Sequence, residues 1–82
     1  MEFRVLKYFL AIAREQSISG AAESLHISQP TLSRQIKDLE KKKKKTLFIR
    51  GSHRITLTEE GMILRKRAEE MIELIEKTKA EA

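Results

Sequence analysis

Helix breakers are nearly missing from this chain. Its 82 residues hold one proline and three glycines, so long uninterrupted helices are expected to dominate the fold. The length allows one small domain with one modest core. Apolar side chains make up 40% of it. Their spacing, not their number, carries the information.

Along residues 3–14, Val5, Leu6, Phe9, Leu10, Ile12 and Ala13 recur at helical intervals and leave Arg4, Lys7 and Arg14 on the polar side. The segment Ser17-Ile18-Ser19-Gly20 interrupts that pattern. Ser19 is read as an N-cap, with Ile18 as a hydrophobic staple and Glu23 as an acid near the helix start. A short second helix over 19–25 then turns Ala21, Ala22 and Leu25 inward. Its two alanines allow another helix to cross closely.

His26-Ile27-Ser28 is a tight connection. Ser28 caps a third helix, and Pro30 sits in its first turn, where a missing N–H costs nothing. Leu32, Ile36 and Leu39 are its buried ridge. At about 100° per residue the opposite side carries Pro30, Ser33, Arg34, Lys37 and Lys41, with Gln29 at the edge.

Two β-rich segments follow, Leu47-Phe48-Ile49 and Ile55-Thr56-Leu57. They predict a hairpin with Gly51 near its tip and Arg50 and Arg54 beside it. Thr58 then caps a long last helix with Glu59 and Glu60 in its first turn. There Leu64, Ala68, Met71, Ile75 and Thr78 form a seam at steps of four and three. A helix of about 20 residues is about 30 Å long, more than so small a domain covers. The seam is therefore expected to meet the same helix of a second chain.

The expected fold is mainly α: a winged helix-turn-helix with a three-helix core and a two-stranded wing over 1–58, then a dimerisation helix over 59–82. Such an arrangement suits duplex DNA. The major groove admits one α-helix, and the side chains that reach base edges must be short or hydrogen-bonding. Gln29, Thr31, Ser33 and Arg34 meet that requirement.

Charge points the same way. The net charge is +5, but residues 34–54 alone hold nine basic and two acidic side chains, or +7. Residues 1–33 balance to zero, and 59–82 sum to −2. An excess of this sign suggests a polyanionic partner. Much of it lies in Lys41 to Lys45, without which the chain would be neutral.

Other classes find little support. No cysteine occurs, which excludes disulfides, Cys-ligated zinc and a thiol nucleophile. His26 and His53 lack metal-ligand spacing. No phosphate-binding glycine loop and no nucleophile elbow is present, so neither catalysis nor a cofactor is expected. No apolar run approaches the length of a membrane span, and the basic stretch has no aromatic face for a lipid surface. A winged-helix protein–protein module is the alternative. It would have no need of a short hydrogen-bonding face at Gln29, Ser33 and Arg34.

The stretch Ala21-Ala22-Glu23-Ser24-Leu25-His26-Ile27-Ser28-Gln29-Pro30-Thr31-Leu32-Ser33-Arg34-Gln35-Ile36 resembles the helix-turn-helix of the LysR-type transcriptional regulators. So do Leu47-Phe48-Ile49-Arg50 and Leu57-Thr58-Glu59-Glu60-Gly61, and Phe3 to Phe9 fits the family's first helix. The resemblance covers essentially the whole chain. It implies a bacterial, cytoplasmic, sequence-specific DNA-binding domain. In that family the residues matching Gln29, Pro30, Ser33 and Arg34 enter the major groove, and those matching Ser28, Thr31 and Lys37 approach phosphates. The arginine at or near Arg54 reaches the minor groove. The resemblance also implies a homodimer with antiparallel final helices, and a small-molecule effector bound by a C-terminal domain that this sequence does not contain. The chain is expected to be a DNA-binding fragment.

One departure stands out. The family usually reads Leu-Gly where this chain has Lys43-Lys44, and acids where it has Lys41-Lys42. The helical period raises the same objection, because the inward position after Leu39 is 43. The expectation is an early end to the third helix, or a Lys43 whose stem lies along the core, with a weakened helix end.

Overall fold

A computed structural model of the chain describes residues 2–81. The element order is α1 (Phe3–Glu15), α2 (Ile18–Leu25), α3 (Gln29–Lys43), β1 (Phe48–Arg50), β2 (Ile55–Leu57) and α4 (Glu59–Glu81). This is the expected mainly helical architecture, with one two-stranded antiparallel sheet.

The three short helices pack on one another around Phe9, Ile12, Leu32 and Ile36, the largest fully buried side chains. Each such burial contributes about 1.5–3 kcal/mol. Ala21 and Ala22 are buried where α2 meets its neighbours, as small side chains at a close crossing allow. The Phe9 and Phe48 rings lie 5.2 Å apart at 46° and tie α1 to the sheet.

The start of α2 differs from expectation. Ser17, not Ser19, is the cap: its backbone is extended, and its Oγ accepts the Gly20 N–H at 3.0 Å. Ile18 is thereby the first helical residue and not a staple ahead of the cap. Glu23 falls beyond the first turn. Two serines spaced by one residue offered the same capping chemistry, and backbone geometry chose the earlier.

Ser28 caps α3 as expected, accepting the Thr31 N–H at 3.2 Å and donating to Thr31 Oγ1 at 2.8 Å. The helix does not end early. It runs through Lys43 and closes on Lys44, which adopts the left-handed conformation at φ 55°. The Lys44 N–H reaches Lys41 O at 3.2 Å, and the Lys45 N–H reaches Glu40 O at 3.1 Å. The backbone thus makes a left-handed helix cap without the glycine that usually serves there.

The strands pair Phe48 with Leu57, Ile49 with Thr56 and Arg50 with Ile55. Leu47, expected in the first strand, precedes it. Its N–H goes instead to Glu40 Oε2 at 2.7 Å, and the Phe48 N–H reaches the same oxygen at 3.2 Å. One carboxylate therefore joins the end of α3 to the start of the sheet. On the other side the Ile55 N–H donates to Gln16 O at 3.1 Å, which pins the sheet to the end of α1.

Thr58 alone separates β2 from α4. Its Oγ1 caps the helix by accepting the Gly61 N–H at 3.0 Å and donates to Thr46 O at 2.6 Å. Its own N–H donates to Leu47 O at 3.0 Å. Gly61 is required by this close approach: a Cβ there would stand 2.2 Å from Leu47 O.

Candidate nucleic-acid interface

The buried ridge of α3, Leu32, Ile36 and Leu39, fixes which side chains face outward. Gln29, Pro30, Arg34 and Lys37 are exposed, while Thr31 and Ser33 are half-buried at the sides of the helix. Ser28 is exposed at its tip. Pro30, Arg34 and Lys37 therefore share the outward face of α3, with Ser33 and Gln29 toward one flank and Thr31 toward the other.

The wing brings in the two arginines. Its tip, Gly51–Arg54, is closed by the Gly51 N–H donating to Arg54 O at 3.0 Å. A Cβ on Gly51 would lie 2.9 Å from that carbonyl, so a larger residue would open the turn. Arg50 and Arg54 thus stand on the two arms of the tip. Both border an open cleft of about 320 Å³ with Gln29 from α3 and with Gln16, Ser17 and Ser19 from the α1–α2 junction. Ser52 and His53 complete the wing side.

Among the described residues no carboxylate lines this cleft. Arg34, Lys37, Arg50 and Arg54 form no ion pair with another described residue. Exposed cations left unneutralised by the described residues are suited to a polyanion. The side chains around them donate hydrogen bonds or, as with glutamine and serine, both donate and accept.

Gln16, Ser17 and Ser52 escaped the sequence reading of this surface. A residue just past a helix end carries no periodic signal, and only the fold places it beside the wing. Glu40 escaped as well: a lone acid before five lysines reads as a solvated charge.

The expected pairing seam on α4 divides in two. Leu64 packs against the core, and Ala68 is fully buried by the chain itself. Beyond them Met71 is 43% exposed, Ile75 half-buried and Thr78 exposed. Leu74, absent from the expected seam, is 64% exposed, and Ile63 is also bare. Ile63, Met71 and Leu74 fall within about 80° around the helix. Ile63 and Met71 flank a groove of about 580 Å³ that also includes Leu6, Leu47, Leu64, Lys43 and Lys45.

Among the described residues no cluster of His, Asp or Glu could hold a metal ion. Nor is any described helix long and apolar enough to cross a membrane.

The family described as "Bacterial regulatory helix-turn-helix protein, lysR family" matches residues 3–62. The chain belongs to the LysR family. It is 47% identical over 77 residues to the HTH-type transcriptional regulator BsdA of Bacillus subtilis (strain 168), covering 93% of this chain and 27% of BsdA. The LysR-type chain thus spans about a quarter of that relative's length. Among solved structures it superposes on BenM_DBD in complex with catB site 1 DNA. There the TM-score is 0.93 and the identity 39%, over 98% of this chain and 89% of that one. The CbnR_DBD–DNA complex gives a TM-score of 0.91 at 37% identity, over 99% of this chain and 93% of that one. Four helices and a two-stranded wing are therefore the LysR winged helix-turn-helix with its C-terminal helix. LysR-type domains of this kind belong to transcriptional regulators, not to enzymes.

Proposed function

We propose that this LysR-type domain reads duplex DNA with α3 in the major groove and the wing on the adjacent minor groove or backbone. Gln29, Pro30, Ser33 and Arg34 take the base edges. Ser28, Thr31 and Lys37 take phosphates, and Arg50 and Arg54 hold the wing to the flanking duplex. The observation that carries this reading is the acid-free cleft between Gln29 and the wing, beside a helix face whose cations have no partner among the described residues. Its likeness to domains solved on DNA supports the same seating.

Residues 1–58 serve in this reading as the DNA-reading unit and 59–82 as the pairing arm. Two chains associate through α4, antiparallel, with Leu64, Ala68, Met71, Ile75 and Thr78 along the seam. The bare Met71 and the half-buried Ile75 support that role most directly. Ala68 contributes by its small size, since it is already covered by its own chain. A small-molecule effector acts through a C-terminal domain outside this sequence, in a cytoplasmic regulator.

The test is selection from a random duplex library at physiological salt. Two copies of one half-site in inverted orientation are expected, because a two-fold protein reads a two-fold site. Recovery of no preferred sequence would sink the proposal.

A further inference from the structure

The lysine run is the sequence feature that this seating does not use, and the structure splits it. At about 100° per residue, Lys41 lies about 20° from Arg34 around α3, and Lys42 about 80°. Lys41 thus prolongs the exposed face that carries Arg34 and Lys37. Lys43 points to the opposite side and, with Lys45, borders the α4 groove. There Lys45 Nζ lies 3.8 Å from Glu60. Five adjacent lysines therefore do not form one patch.

Neighbouring acids leave Lys41 and Lys42 unneutralised. The Glu40 carboxylate turns to the start of the sheet, where its Oε2 accepts two backbone N–H groups, and it forms no ion pair with either lysine. Glu2 and Asp38 share a shallow recess with Lys42, but neither forms an ion pair with it. Crowded ammonium groups repel one another in the free protein, and a polyanion relieves that repulsion on binding. Length adds a second argument. From Gln29 to Lys41 the helix rises about 18 Å, whereas the major groove is about 12 Å wide. A helix seated by its first two turns carries its last turn to the level of the bordering sugar-phosphate strand.

We propose that Lys41 and Lys42 bind backbone phosphates where α3 leaves the groove, adding affinity that is independent of sequence, and that Lys43 and Lys45 take no part in DNA contact. This rests on the seating of α3 given above. The test compares wild type, a Lys41→Gln/Lys42→Gln variant and a Lys43→Gln/Lys45→Gln variant. Each is titrated by fluorescence anisotropy against the selected duplex and a scrambled duplex of equal length, between about 50 and 200 mM salt. Each lost phosphate contact lowers the magnitude of the salt slope by about 0.9. The first pair is expected to lower it by between about 1 and 2 on both duplexes, leaving the ratio of the two affinities unchanged. The second pair is expected to move the slope by less than about half a unit. Equal slopes for the two variants, or a loss confined to the selected duplex, would overturn the assignment. If wild type fails to distinguish the duplexes, the seating itself is wrong. If it distinguishes them and the first pair leaves the slope unmoved, only this proposal falls. Both variants relieve like-charge crowding, and circular dichroism checks that they fold.

Discussion

At the scale of single residues, Arg34 and Lys44 contrast a position proposed for recognition with one that serves only conformation. Arg34 is exposed on the outward side of α3 and has no acidic partner among the described residues. A guanidinium at such a place can take two acceptors of one guanine. Replacing it by alanine is expected to cost about 1–3 kcal/mol on the selected site and to relax preference at one base pair. A uniform loss across all sequences, measured by competition binding, would assign it to phosphate instead. Lys44 holds a left-handed conformation that costs a residue with a Cβ about 1–2 kcal/mol, and Lys43 sets an ammonium-bearing chain beside the apolar Leu6 and Leu64. The double substitution Lys43→Leu/Lys44→Gly is expected to raise the melting temperature by about 4–8 °C for each kcal/mol recovered. An unchanged melting curve would show that neither position is strained.

At the scale of elements, the helices were the legible part. The ridge of Leu32, Ile36 and Leu39 and the cap at Ser28 were plain from spacing and residue type, because a helix writes its buried side into the sequence every three or four positions. Joints between elements write no such period. Ser17 and Ser19 were equally good caps on composition, and only the extended backbone at Ser17 distinguishes them. The Gln16 carbonyl that receives the Ile55 N–H is main chain and leaves no mark in the side-chain alphabet. Glu40 lies between: its residue type is visible, but its two N–H donors are seven and eight positions away. Glu40→Ala removes both bonds and leaves the Leu47 N–H part-buried without its partner. A loss of about 2 kcal/mol is expected, read by urea denaturation, together with weaker DNA binding as the wing loosens. Full stability in that variant would mean that the strand start is held by other contacts.

At the scale of the whole molecule, the dimensions of 44 × 27 × 21 Å describe a rounded body with one projecting rod. The rod is the distal part of α4, past the last fully buried residue, Ala68. The seam was legible as a period but not as an allocation of surfaces. Sequence spacing alone cannot say that Ala68 is buried within its own chain while Leu74 faces outward. Met71→Asp is expected to convert a dimer into a monomer in sedimentation equilibrium, because it sets a charge on the uncovered half of the seam. A persistent dimer would move the interface elsewhere. Ala68→Asp should instead unfold the domain, since that position is closed within one chain.

The single residue between the sheet and α4 has a mechanical consequence. Thr58 is bonded through its backbone to Leu47 and through its hydroxyl to both Thr46 and Gly61, and Gly61 is wedged against the Leu47 carbonyl. No slack remains at that joint. A torque applied to the far end of the rod cannot dissipate in a flexible hinge. It turns the hairpin with it, so that in the proposed reading the pairing arm and the wing move as one piece.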